Sequence, residues 1–371
     1  MKALIASVVV TLAVWSTSLG KCRSQTQGVP AVYAFGDSLV DTGNNNWLPV
    51  SAFARANYTP YGTDFPEGIA TGRVTNGINV PDLIAEFLGL PFTTPDKNPN
   101  LPISLTGYNY GSAGGGILRA TGPIYALDLT EQVKLFGVTK ETKLRPAFKD
   151  EAELEYHLAN SIYFIWVGNN DYLLNYFDKL KNTSKEYTPE EFANLLTSTL
   201  SEKLQLLYET GARKMVVFEL PPLGCIPVSV DANGTCNELR NSNATLFNTK
   251  LAEMLQSLST KLPDSYLSLG KTYDLTSLAI NDPAHYGLTN VTHPCCQLAT
   301  LIGLPLLQCK KAGNICGNRN EYLFWDAAHP SEAGYRVLGG QCITNSTVCT
   351  PYSVQDLAQL TVHPSSLLSA A

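Results

Sequence analysis

The sequence predicts an α/β fold in which a mostly parallel sheet lies buried between layers of helix. Short runs rich in Val, Ile, Tyr and Phe alternate with stretches of helical period. Most of those runs lack the in-and-out alternation of a half-exposed strand, which suits a sheet covered on both faces. No linker and no internal repeat interrupts the pattern. One domain over residues 25–371 is therefore expected, although the length stands slightly above the usual ceiling for one hydrophobic core.

Residues 1–24 come first. MKALIASVVVTLAVWSTSLG runs from one Lys into an uncharged apolar stretch, ends in small residues and is broken by Lys21, Cys22 and Arg23. That is the profile of a secretory signal peptide. As an anchor it is marginal, since a span takes roughly 20 apolar residues. No later stretch qualifies, so no transmembrane anchor is expected once the leader is removed. The 32 acidic against 26 basic residues, with no basic cluster, argue against a nucleic-acid partner. With 44% of residues hydrophobic and 16% charged, the chain is not of a disordered class.

The first strand, Val32 to Phe35, runs straight into Gly36-Asp37-Ser38-Leu39, where a glycine lets the backbone turn and present a hydroxyl at the strand tip. The run from Ser161 to Val167 ends in Gly168-Asn169-Asn170-Asp171. The helix from Pro189 to Thr210 has the clearest boundaries: Thr188 caps it, Glu191 completes a capping box, and Gly211 ends it. Its apolar stripe is Leu195, Leu196, Leu200, Leu204 and Leu207, and a strand from Lys214 to Leu220 follows. A second helix, roughly Glu238 to Thr260, leads in the same way into a strand at Ser265 to Leu269. Late in the chain YLFW reaches Asp326-Ala327-Ala328-His329-Pro330. The tail from Tyr352 to Ala371 has no assigned role.

Nine cysteines fit an oxidising lumen. With Cys22 lost in the leader, eight remain and allow 105 pairings. Short loops favour Cys225 with Cys236 and Cys342 with Cys349, leaving Cys295, Cys296, Cys309 and Cys316 to staple one segment. A zinc site including His293 is the rival reading, weakened by the lack of a paired C-x₂-C knuckle. Sequons at Asn57, Asn182, Asn233, Asn243, Asn290 and Asn345 are candidate N-glycosylation sites.

In a parallel sheet, function gathers where loops leave the carboxyl ends of strands. Those ends carry a hydroxyl, a carboxamide, and a carboxylate with an imidazole, the groups that acyl transfer requires. A Ser hydroxyl is a poor nucleophile until a base accepts its proton, and His suits that role near neutral pH. Asp326, three residues before His329, can aim the ring within one local turn. The Asn170 amide and backbone N–H groups at Ser38 and in Gly111-Ser112-Ala113-Gly114-Gly115-Gly116 can meet the negative charge on a substrate carbonyl. Taken singly, each piece has a structural explanation: Ser38 as a helix cap, Asn170 as a turn former, the glycine run as a loop. That run lacks the G-x-G-x-x-G pattern and the Lys-Ser/Thr of a phosphate loop.

Order and context join them. FGDSLVDTGNNN at residues 35–46, NYGSAGGGI at 109–117, GNND at 168–171 and FWDAAHPSE at 324–332 together resemble the GDSL esterase/lipase family of the SGNH hydrolases, specifically its secreted plant-type branch. TGRVTNG at 71–77 and LPPLGCIP at 220–227 extend the likeness over nearly the whole mature chain. The resemblance implies a three-layer α/β/α sandwich and no cofactor. It also implies Ser38 as nucleophile, His329 as base, Asp326 as its orienting acid, and Gly114 with Asn170 in the oxyanion hole. Plant members commonly read ASGGAG where this chain has GSAGGG, so Gly115 competes with Gly114. No G-x-S-x-G elbow occurs.

The expected activity is hydrolysis of carboxylic esters, with a small-molecule or lipid-like substrate, in the extracellular space or an endomembrane lumen such as a vacuole. An acyltransferase using the same residues, and a catalytically silent binding glycoprotein, are the alternatives. Loops from Trp47 to Tyr61 and the cysteine segment are expected to line the cleft.

Overall fold

The computed structural model describes residues 28–363. The expected leader, with Cys22, lies outside the described residues, as do residues 364–371. The strands are β1 (Val32–Gly36), β2 (Thr94–Pro95), β3 (Tyr108–Asn109), β4 (Ile162–Trp166), β5 (Lys214–Phe218), β6 (Tyr266–Gly270), β7 (Asn290–Pro294), β8 (Leu298–Leu301), β9 (Leu304–Cys309), β10 (Tyr322–Phe324) and β11 (Cys349–Thr350). The central sheet has the order β11-β6-β5-β4-β1-β3-β2 and is parallel except for β11, which runs antiparallel to β6.

Every residue of β1, β4 and β5 is buried. The strand period of two divides them between two cores. Tyr33, Phe35, Tyr163, Ile165, Met215 and Val217 pack with the helices Leu129–Thr139, Pro189–Thr210 and Glu238–Lys261. Val32, Ala34, Ile162, Phe164, Val216 and Phe218 pack with the helices Val80–Leu88, Glu332–Leu338 and Val354–Gln359. The fold is therefore a three-layer α/β/α sandwich, and the uninterrupted apolar runs follow from having no solvent face.

The Pro189–Thr210 helix has the expected boundaries: Thr188 and Glu191 form a reciprocal capping box, and Gly211 is its C-cap. Leu196, Leu200, Leu204 and Leu207 are buried, joined by Phe192 and Ala193, whereas Leu195 is only half-buried. The unassigned tail belongs to the sandwich. Lys214 Nζ donates to the Leu360 carbonyl at 2.6 Å, and Asn160 exchanges two hydrogen bonds of 2.9 Å with the Val362 backbone.

Disulfides join Cys225 to Cys236 and Cys342 to Cys349, and in the crowded segment Cys295 to Cys316 and Cys296 to Cys309. With those sulfurs bonded to one another, no thiolate is left among them for zinc, and His293 is an exposed residue hydrogen-bonded to Thr292.

Two expectations are corrected. YLFW does not enter the main sheet: β10 pairs with β7 in a separate parallel ribbon, while the sheet edge beyond β6 is taken by β11, tied down by Cys342–Cys349. Asn243 is buried inside the Glu238–Lys261 helix with its Nδ2 donating to the Leu239 carbonyl at 2.8 Å, so the folded chain has no room for a glycan there. Asn57, Asn182 and Asn233 are exposed, and Asn290 and Asn345 are half-buried.

Candidate active site

The chain leaves β1 toward β2 and β3 on one side and returns to β4 on the other, so β1 is the point where strand order reverses. The loops that diverge there open a crevice at the carboxyl ends of the strands. Three of the predicted segments meet in it: Ser38 after β1, the glycine run after β3 and Asn170 after β4. The turn at β1 needs glycine because a Cβ at Gly36 would lie 2.1 Å from the Trp166 carbonyl of β4. Asp37 then holds the next turn. Its Oδ1 accepts the Leu39 N–H at 3.0 Å, and its carbonyl accepts the N–H groups of Val40 and Asp41.

The imidazole arrives from outside the sheet. His329 Nε2 lies 2.7 Å from Ser38 Oγ, and its Nδ1 lies 2.7 Å from Asp326 Oδ1. The same carboxylate oxygen accepts the backbone N–H groups of Ala328 and His329 at 2.9 Å each, closing the local turn. Asp326 is fully buried and His329 nearly so. Burial disfavours the charged imidazolium, but the Asp326 charge and hydrogen bond, with Asp37 nearby, outweigh it and hold the His329 pKa above its ordinary value.

Ser38, Gly114, Asn170 and His329 share the wall of a cleft of about 400 Å³. The backbone N–H groups of Ser38 and Gly114 make no hydrogen bond among the described residues. The Gly115 N–H, by contrast, is committed to the Ser112 carbonyl at 2.8 Å. Asn170 Nδ2 donates one hydrogen to the Gly115 carbonyl at 2.9 Å, which leaves its second hydrogen free for a ligand. Gly114 has φ +86°, and a Cβ there would lie 2.7 Å from the Pro123 ring, so both conformation and space call for glycine. Ser51, Ala54, Leu307 and Gln308 complete part of the wall, from the two loop regions expected to line it.

The spacing of these blocks, and not any one of them, decides the family. A profile for GDSL-like Lipase/Acylhydrolase matches residues 32–341. The chain belongs to this family. GDSL esterase/lipase 7 of Arabidopsis thaliana is 40% identical over 372 residues, covering 97% of this chain and 100% of that protein. GDSL esterase/lipase At1g74460 and GDSL esterase/lipase At5g37690, from the same plant, are each 38% identical; they span 81% and 82% of this chain and 82% and 86% of their own lengths.

Around the GDSL serine stands a polar frame that reading for nucleophile, base and oxyanion donors passed over. Asp41 accepts the N–H groups of Gly43 and Asn44 on one oxygen and that of Ala113 on the other. Asn44 donates to the carbonyls of Asn109 and Gly111, and Asn45 to those of Ala54 and Ala113. The run DTGNNN therefore clamps the glycine loop against β1. In GNND, Asn169 donates to Asp37 Oδ2 at 3.0 Å, while Asp171 accepts the N–H groups of Ile117 and Leu118 and the Thr121 hydroxyl. Burial pushes the carboxyls of Asp37, Asp41 and Asp171 up to about 6, against the lowering effect of these donors.

TGRVTNG supports the site in a similar way. Arg73 forms a buried two-pronged ion pair with Asp82, Thr75 donates to the Pro330 carbonyl, and Asn76 accepts the Glu332 N–H. Tyr61, 265 positions before Asp326 in sequence, donates to its Oδ2 at 2.7 Å and accepts the Cys309 N–H at 3.0 Å. The Cys296 N–H bonds the Trp325 carbonyl, so the stapled β8–β9 hairpin and Tyr61 together mount the Asp326 turn.

Proposed function

We propose that the protein hydrolyses carboxylic esters through an acyl-Ser38 intermediate. As Ser38 Oγ attacks the carbonyl carbon, His329 Nε2 takes its proton and the imidazolium is stabilised by Asp326. The carbonyl oxygen becomes an oxyanion facing the Ser38 and Gly114 N–H groups and the free Asn170 hydrogen, donors already fixed before charge develops. Collapse breaks the bond to the alcohol oxygen, which leaves with the proton from His329. Water then enters and attacks the acyl carbon while His329 takes its proton; the bond to Ser38 Oγ breaks, the acyl group leaves as a carboxylic acid, and His329 returns the proton to Oγ, regenerating both residues. No step calls for a cofactor.

The observation that carries this reading is the unbroken chain of 2.7 Å contacts from Ser38 through His329 to Asp326. Ser38→Ala in folded protein is expected to lower kcat on p-nitrophenyl acetate by up to about 10⁶-fold. Wild-type turnover in that variant would refute the assignment.

The same proposal makes residues 1–24 a removable leader, residues 25–371 one domain, and the destination the cell exterior or an endomembrane lumen. Four disulfides support it, since such pairs persist in oxidising compartments. Among the described residues, no helix is long and apolar enough to cross a membrane. N-terminal sequencing of the protein purified from its native tissue tests it: a first residue near position 25 is expected, and an intact Met1 would overturn it.

A further inference from the structure

Two cavities, not one, meet at Ser38. Ser38, Asn170, Leu173, Ala328 and His329 border both the cleft of about 400 Å³ and a second pocket of about 40 Å³. Their chemistry differs. The larger cleft is the more open and has Thr121, Asp178, Lys181 and Gln308 on its wall. The smaller runs inward between Leu223, Ile226, Thr276, Phe324 and Leu338. Those residues are at most 4% exposed, so the core itself forms the floor of the pocket. The Thr276 hydroxyl is donated to the Thr272 carbonyl at 2.6 Å, and Asp37 and Asn169, which border the pocket beside Ser38 and Asn170 in sequence, are hydrogen-bonded to each other at 3.0 Å. A polar group lodged among the five core side chains finds chiefly carbon around it, which disfavours a substituted acyl chain.

We infer that the small pocket is the acyl site and limits the protein to esters of short, unsubstituted aliphatic acids, acetyl to butyryl, while the open cleft receives the alcohol. This rests on the acyl-Ser38 reading. The two steps of the reaction make different demands on the two halves of the ester. The acyl group stays attached to Ser38 through both steps, so the narrower, less open pocket suits it. The alcohol must leave and water must replace it beside His329, which the wider cleft allows. Size sets the limit: by the same measure the pocket is about a tenth of the cleft, about 40 against about 400 Å³, so it takes a short acyl chain and the cleft does not restrict the alcohol.

The test varies each half of the ester separately on the full-length, disulfide-bonded protein. Across p-nitrophenyl acetate, butyrate, hexanoate and octanoate, kcat/KM should hold to butyrate and fall at least about 10-fold at hexanoate, since one misfitting methylene is worth about 10–200-fold. Across acetates of ethanol, glycerol and a methyl glycoside, kcat/KM should change less than it does between butyrate and hexanoate. Ile226→Ala, which removes carbon from the floor, should raise hexanoate relative to butyrate by about 10-fold or more. Leu223→Ala is the second variant should the first fail to fold.

Equal turnover of octanoate and acetate by the wild type, or selectivity falling on the alcohol instead, would overturn the inference. Should no ester in the panel turn over, labelling of Ser38 by ethyl against octyl fluorophosphonate reads the same pocket. Faster labelling by the ethyl reagent supports the inference; equal rates, or none, overturn it. Failure of the underlying reading is recognised apart from these: Ser38→Ala would remain active. An inert Ser38→Ala variant with a flat acyl profile sinks the pocket alone.

Discussion

Replacing Tyr61 with Phe removes one oxygen from a fully buried position and disturbs two groups at once. Asp326 Oδ2 loses its donor at 2.7 Å, and the Cys309 N–H loses its acceptor at 3.0 Å. A hydrogen bond to a charged group is worth about 1.5–3 kcal/mol and an orphaned buried N–H costs about 1–3 kcal/mol, so a loss of about 3–5 kcal/mol of stability is expected. The catalytic effect is separate. Asp326 keeps its three donors on Oδ1, from Ala328 N–H, His329 N–H and the ring. Its charge, no longer shared with the phenol, bears more strongly on the imidazolium. The His329 pKa, already held above its ordinary value by Asp326, therefore rises further. The assay is kcat/KM against pH on p-nitrophenyl butyrate, with a thermal melt in parallel. The acidic limb should move to higher pH, and kcat should fall about 10-fold as Asp326 loosens. A lower melting temperature with an unmoved limb and unchanged kcat would show that Tyr61 only packs, and would refute the reasoning.

On the proposed mechanism, in which the Asn170 amide meets the oxyanion and not the ground state, Asn170→Ala should lower kcat by about 10²–10³ with little change in KM; an effect confined to KM would make it a substrate-binding residue. His329 must be neutral to accept the Ser38 proton, and its folded value stands above the ordinary 6.5. Wild-type kcat/KM should therefore rise with pH through a midpoint above 6.5, and a midpoint well below that value would contradict the pairing with Asp326. By the same linkage, the ion pair's contribution to stability is complete below pH 6.5 and lost as pH climbs through that midpoint. Replacing Cys296 and Cys309 together by Ser should cost about 2–5 kcal/mol and also depress kcat, since the hairpin holds Tyr61 and Trp325; full kcat per folded molecule would show that the staple does not support the site. Asn243→Gln should leave the glycan mass seen by mass spectrometry unchanged, and a loss of one glycan would mean that this helix is modified before it folds.

What the sequence disclosed depended on how local each signal was. The Pro189–Thr210 helix was readable to the residue because its capping box and terminal Gly211 lie next to the segment they bound. The strands β1, β4, β5 and β6 were placed to within two residues because they are buried on both faces. Ser38, His329 and Asp326 were legible as chemical types in a fixed order. Tyr61 was not: its partner lies 265 positions away, and nothing near Tyr61 marks it as a donor to a carboxylate. The short strands β2, β3 and β11 also went unread, being only two residues long. For the polar frame a signal did exist. FGDSLVDTGNNN packs buried Asp37, Asp41, Asn44 and Asn45 into one loop, and side chains of that kind are kept inside a protein only when they have backbone groups to satisfy.

That frame explains how a loop-built site can be rigid. Oxyanion donors help only if they need not move when charge appears, and apolar packing cannot aim a backbone N–H. Buried carboxylates can, because each fixes several N–H groups at once. Asp171 holds the Ile117 and Leu118 amides and the Thr121 hydroxyl beyond the glycine run, while Asp41 holds the Ala113 amide immediately before Gly114. The cost is visible in carboxyls pushed up to about 6: ionised at neutral pH, they destabilise a fold that would prefer them protonated. An apolar replacement would relieve that strain and leave the amides around Gly114 unpaired and unaimed. The two-sided core supplies stability for the whole chain, and the buried Asp and Asn side chains, at some cost to it, fix the segments that carry Gly114 and Asn170, which is what the proposed oxyanion hole requires.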